Sequence, residues 1–103
     1  MAVKMPTTIR IGLHDYVVKR PTATEMGDDL GGCEANLLEI TVKQRLKKSK
    51  AQEILTHEIM HACTHPSFIG VDKATDEDFV TAVSPTWLQV LRDNPDLVAY
   101  LVS

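Results

Sequence analysis

The residues able to do chemistry lie together in Thr56-His57-Glu58-Ile59-Met60-His61-Ala62, a His-Glu-x-x-His pattern. Two histidines four apart on a helix share one face, about one turn from each other. That spacing lets two imidazole nitrogens reach a single tetrahedral Zn²⁺. Glu58 points to an adjacent part of the same face, near a metal-bound water but outside the coordination positions. Metal-assisted peptide hydrolysis needs this set: a Lewis acid to acidify the water and a carboxylate to take its proton. The alternative is a non-enzymatic module in which zinc staples a small core or presents a binding surface. Such a module has no use for Glu58, and it wants a fourth protein ligand that the sequence does not offer.

A helix must carry the motif. Ser49-Lys50-Ala51-Gln52 fits a capping box with Ser49 as N-cap. Ala51, Ile54, Leu55, Ile59 and Ala62 then recur at spacings of three and four as one apolar stripe. His57 and His61 fall on a flank of that stripe, which puts a metal at the edge of the core. Pro66 places the end of the helix near His65. A third ligand has to come from elsewhere, because His65 lies about 12 Å along the helix from His57. The carboxylates Asp76, Glu77 and Asp78, behind a candidate N-cap at Thr75, are the available set. All three also complement a helix dipole.

Ahead of this helix the pattern is that of strands. Ile9 and Ile11 alternate with Arg10, and Tyr16-Val17-Val18-Lys19 resumes the alternation, which implies a hairpin turning around His14 and Asp15. Pro21 ends the second strand, and the residues through Gly31-Gly32 are rich in loop formers. Leu38, Ile40 and Val42 alternate with Glu39, Thr41 and Lys43 as a third strand. The basic run from Lys43 to Lys50 reads as a solvated connection into the helix, since it has no interleaved aromatic residue.

After the motif helix, Phe79, Val80, Val83, Leu88 and Leu91 follow at helical spacings, interrupted at Ser84-Pro85. Asn94-Pro95 precedes a last apolar segment, Leu97 to Val102, and Trp87 should pack against the other helices. Tyr16, His14 and His65 are secondary candidates for oxyanion donors, with structural roles as the simpler account. The expected fold is α+β: a three-stranded antiparallel sheet, then the motif helix and C-terminal helices.

A chain of 103 residues supports one domain, 1–103, with one modest core. With 44% hydrophobic and 24% charged residues, the composition is that of a soluble globular protein. A net charge of −3 argues against a dedicated nucleic-acid binder. Neither a secretory signal nor a membrane-length apolar run is visible, so a cytoplasmic protein is expected. Cys33 and Cys63 form no disulfide framework.

Ile9-Arg10-Ile11-Gly12, Tyr16-Val17-Val18, the Leu38-Ile40-Val42 strand, the segment from Ile54 to Ala62 and Leu91-Arg92-Asp93-Asn94-Pro95 occur in an order that resembles a known group. These are the small metallopeptidase-like proteins of phages and mobile elements, of the ImmA/IrrE family of gluzincin-like zinc endopeptidases. The resemblance spans nearly the whole chain, and His-Glu-x-x-His is its specific element. It implies a minimal zincin fold, Zn²⁺ as cofactor, and a protein or peptide substrate laid along the exposed sheet edge above the motif helix. It also implies a glutamate ligand opening the next helix, with small apolar residues three, six and seven positions on. Val80 and Val83 at the first two offsets select Glu77, and Ser84 replaces the usual alanine. The implied site is His57, His61 and Glu77 as ligands with Glu58 as general base. On this reading Val80 faces the core and Glu77 lies on the same side.

Overall fold

The structure, a computed structural model, describes the backbone over residues 3–68 and 75–103 and the side chains over 3–64, 75 and 77–103. Strands β1 (Thr8–Ile11), β2 (His14–Lys19), β3 (Gly31–Glu34) and β4 (Glu39–Val42) form one sheet in the order β1-β2-β4-β3. β1 and β2 pair antiparallel, as do β3 and β4, while β2 and β4 run parallel. The fold is therefore α+β with a mixed four-stranded sheet, not the expected three antiparallel strands. The extra strand is β3, whose Gly31-Gly32 start reads as loop because glycine is depleted in strands.

The hairpin turns at Gly12 and Leu13, two residues earlier than expected, so His14 and Asp15 already belong to β2. Gly12 supplies the positive φ, 61°, that a two-residue loop takes at its first position. Between β2 and β3 lies a one-turn helix α1 (Ala23–Met26), closed by a Thr22/Glu25 capping box. Leu38 is not yet strand: it ends a 3₁₀ turn (Ala35–Leu37) with φ 55°. Its carbonyl nevertheless accepts from Val17 N at 2.9 Å, which ties the turn to β2.

Helix α2 (Lys48–Phe68) carries the motif, followed by α3 (Asp76–Asp93) and α4 (Pro95–Leu101). α2 begins one residue before Ser49, and Lys47 offers the first carbonyl, accepting from Ala51 N at 2.9 Å. Ser49 is thus inside the helix and not its N-cap. The helix also runs past Pro66 to Phe68, because a pre-proline bias is weaker than an established helix. α3 is continuous through Pro85, where an interruption is expected from sequence. Ser84 Oγ donates to Val80 O at 2.6 Å in that turn.

One sheet face is covered by the helices and the other is open, so strand residues alternate buried and exposed. Ile9, Ile40, Val42, Leu55, Ile59, Val90 and Leu97 are fully buried in one cluster, with Trp87 and Val83 packed against it. The apolar stripe of α2 goes inward as its spacing dictates. The first turns of α3 do not: Val80 is 51% exposed, so it does not face the core. The core face of α3 is set by Val83, Trp87 and Val90. Among the described residues no helix is long and apolar enough to cross a membrane.

Candidate metal centre

The middle of α2 brings the motif side chains together as its 3.6-residue period requires. His57 and His61, both exposed, approach to 3.1 Å between their Nε2 atoms, with ring centroids 4.8 Å apart and planes at 75°. Two ligand atoms at about 2.0–2.1 Å from a tetrahedral ion stand roughly 3.3–3.4 Å apart. The pair is within a few tenths of an ångström of that spacing. His57, Glu58 and His61 each offer a ligand atom, all within 4.8 Å of one another. The donor set suits zinc, and the same imidazoles can also share one proton in a direct hydrogen bond.

Glu58 differs from its neighbours. It is 7% exposed, the one buried charged side chain among the described residues, and it has no hydrogen bond or ion pair there. No fully shielded polar side-chain atom lacks a partner among the described residues, so the carboxylate oxygens still reach the surface, where they are open to a partner. Strand β3 encloses it. A Cβ on Gly31 would stand 2.5 Å from Ile54 Cγ2 and 3.0 Å from Glu58 Oε2. Only a residue without a side chain lets this strand pass so close to the helix.

Cys33, two residues on and facing the same layer, feels the same carboxylate. Burial first, then the charges of Glu58 and Glu34, push its thiol up to about 11. Burial also pushes Cys63 up to about 11, with Cys33 as the secondary cause. Both thiols are therefore protonated at neutral pH and poor nucleophiles. Tyr16, beside them in the core, is raised by burial and then by the two cysteines. Gly31 and Cys33 escape a motif-based reading. The available signal is the Gly-Gly doublet, which marks close backbone approach once the segment is known to be a strand.

The remaining candidates are dispersed. Glu77 is exposed in the first turn of α3 and stands outside the His57–Glu58–His61 group. Thr75 caps that helix as expected, in a reciprocal box with Asp78: Asp78 N donates to Thr75 Oγ1 at 3.1 Å and Thr75 N to Asp78 Oδ2 at 2.9 Å. The backbone N–H of Thr75, then its hydroxyl, hold the Asp78 carboxyl below its ordinary range. The side chains of Asp76 and His65 lie outside the described residues. His14 is exposed at the start of β2, while Tyr16 is buried in the core. Searches against protein-family models, curated proteins and solved structures find no match to this chain.

Proposed function

We propose that the protein is a cytoplasmic zinc-dependent peptidase in which Glu58 is the general base. His57, His61 and Glu77 are its proposed metal ligands. The observation that carries the reading is the Glu58 carboxylate, buried without a partner beside two convergent imidazoles. A structural staple gains nothing from such a group, whereas hydrolysis requires it. Bound zinc supplies a Lewis acid that acidifies water and polarises a peptide carbonyl. Glu58 accepts the proton of the attacking water and passes it to the leaving amine. No cation is paired with Glu58 among the described residues, so its carboxylate is available to the attacking water.

The outer edge of β3 gives an extended peptide a place to bind by strand addition. Gly31 and Glu58 are neighbours, so a peptide on that edge runs past the base. Glu77 is preferred to Asp78 because Asp78 is committed to the cap of α3. Its extra methylene also lengthens its reach toward α2. The offsets to Val80 and Val83 remain those of the ImmA/IrrE-like proteins that the sequence resembles, a group of phages and mobile elements.

The test is zinc analysis of the purified protein together with a peptide-library cleavage assay, wild type against Glu58→Gln. The amide cannot take the proton, so cleavage should fall by about 10²–10⁴-fold or more with zinc retained. Equal cleavage by both proteins overturns the assignment. Zinc binding with no cleavage by either supports the staple reading instead.

A further inference from the structure

A second cluster of unpaired charge, opposite in sign, lies at the other end of α2. The segment 3–7, the end of β2, the first turn of α2 and α4 border an open cavity of about 490 Å³. Lys4, Arg20 and Lys48 line it with the phenol of Tyr100, and Val18 and Ala51 contribute apolar wall. No acidic side chain lines it among the described residues, and none of the three cations is in an ion pair there. Lys4 also borders an adjoining recess that holds Asp96, again without an ion pair. Arg20 is locked in place: its Nε donates to Val42 O at 2.8 Å and one terminal nitrogen to Lys43 O at 3.2 Å. The other terminal nitrogen is left over.

Tyr100 adds a hydroxyl that is free to bind. The residue is only 5% exposed, yet its hydroxyl makes no hydrogen bond among the described residues. No fully shielded polar side-chain atom lacks a partner, so this hydroxyl opens outward, and the cavity is what Tyr100 lines. Burial raises its pKa while the Arg20 charge pulls it back, and both residues line the cavity.

The helix end adds to the imbalance. Lys48 sits in the first turn of α2 with no acidic residue there, and Lys47 precedes it; Lys50, in the same turn, is paired with Glu53 at 3.0 Å. Cations at the positive end of a helix dipole are unfavourable. A chain of net charge −3 that gathers them there breaks a local rule, and such breaks mark function.

We propose that this cavity binds a phosphomonoester, with the phosphate between Lys4, Arg20, Lys48 and the first N–H groups of α2. The organic part lies on Val18 and Ala51, and the Tyr100 hydroxyl donates to a phosphate oxygen. Three cations and a helix N-terminus favour an anion of charge about −1.5 to −2 over a monocarboxylate. The site is independent of the metal centre, since Lys48 and His57 are about 13 Å apart along the helix.

Calorimetric titration of the full chain with phenyl phosphate, inorganic phosphate and benzoate tests this. Phenyl phosphate should saturate one site and bind more tightly than the other two. Lys4→Gln/Lys48→Gln should weaken it by about tenfold or more, as two charge-assisted contacts are lost. Tyr100→Phe, which removes a hydroxyl with no partner among the described residues, should weaken it several-fold, and Lys47→Gln, outside the cavity, should not. The absence of saturable binding overturns the proposal. So does binding unaltered in Lys4→Gln/Lys48→Gln, which would put the phosphate on bound zinc. Capture of an oligonucleotide or an anionic vesicle without phenyl phosphate binding overturns it as well.

Discussion

The two edges of the sheet are treated in opposite ways. The β1 edge is closed by side-chain amides. Asn94 Oδ1 accepts from Arg10 N at 2.8 Å, and Asn94 Nδ2 donates to Arg10 O at 2.9 Å and to Val90 O at 2.8 Å. Gln89 Oε1 accepts from Gly12 N at 2.8 Å, and its Nε2 donates to Arg10 O at 3.2 Å. These two side chains do what a fifth strand would do, and they remove the template for unwanted pairing. Among the described residues nothing comparable closes β3. Its edge is left open where it passes the buried Glu58. An open edge is a liability unless pairing there is the purpose, so the contrast supports the proposal that a peptide pairs with β3.

The metal is where that comparison breaks most visibly. If the open edge serves a zinc site, chelation should lower the melting temperature of wild type, and His61→Ala should abolish most zinc binding. A ligand present at about 100 times its Kd contributes about 2.7 kcal/mol of stability, which sets the scale of the chelator effect. A protein that purifies without metal and shows no zinc-dependent shift in melting temperature removes the site.

Next in size is the third ligand. Glu77→Ala should weaken zinc binding far more than Asp76→Ala or Asp78→Ala, because it alone is proposed to leave two imidazoles. Zinc dissociation constants for the three variants decide it. Loss of metal in either aspartate variant with retention in Glu77→Ala moves the ligand to that aspartate. The peptidase reading survives that outcome.

The convergence of His57 and His61 and the buried face of α2 were legible because both rest on a single helical period: Ala51, Leu55, Ile59 and Ala62 are buried and Ile54 packs at the edge of the core. The strand alternation of Ile9, Ile11, Ile40 and Val42 was legible for the same reason. What escaped depends on contacts distant in sequence. β3 is a strand because β4 pairs with it, not because Gly31-Gly32 prefers to be one. β2 and β4 run parallel because β3 intervenes between them in the chain, a topology that alternation does not encode. The turns from Glu77 to Thr81 kept a helical apolar pattern, yet only the later Val83-Trp87-Val90 face meets the sheet layer. The edge role of Asn94 is a pairing across 84 residues. Local spacing showed only a helix stop.

Smaller effects probe the edges themselves. Gly31→Ala puts a methyl against Ile54 and the Glu58 carboxylate, so overpacking should cost about 1–3 kcal/mol and displace the proposed general base. Urea unfolding and peptide cleavage should therefore fall together. A fully stable, fully active Gly31→Ala would mean that β3 stands further from Glu58 than its backbone indicates.

The β1 edge gives the smallest changes, and their ranking is what tests it. Asn94→Ala removes three hydrogen bonds to backbone groups and should cost about 1–3 kcal/mol in urea unfolding. Gln89→Ala removes two bonds to the strand, one of them long at 3.2 Å, together with a 3.0 Å contact to Asp93 Oδ2. Water can replace part of these on an exposed surface, so its cost should be nearer 0.5–1.5 kcal/mol, at roughly the value of a single bond. The double variant exposes the whole edge and should add concentration-dependent self-association, seen by sedimentation, that neither single change produces. If the double variant stays monomeric and loses no more than Asn94→Ala alone, the amides are surface decoration. The two edges then differ only in what lies beside them.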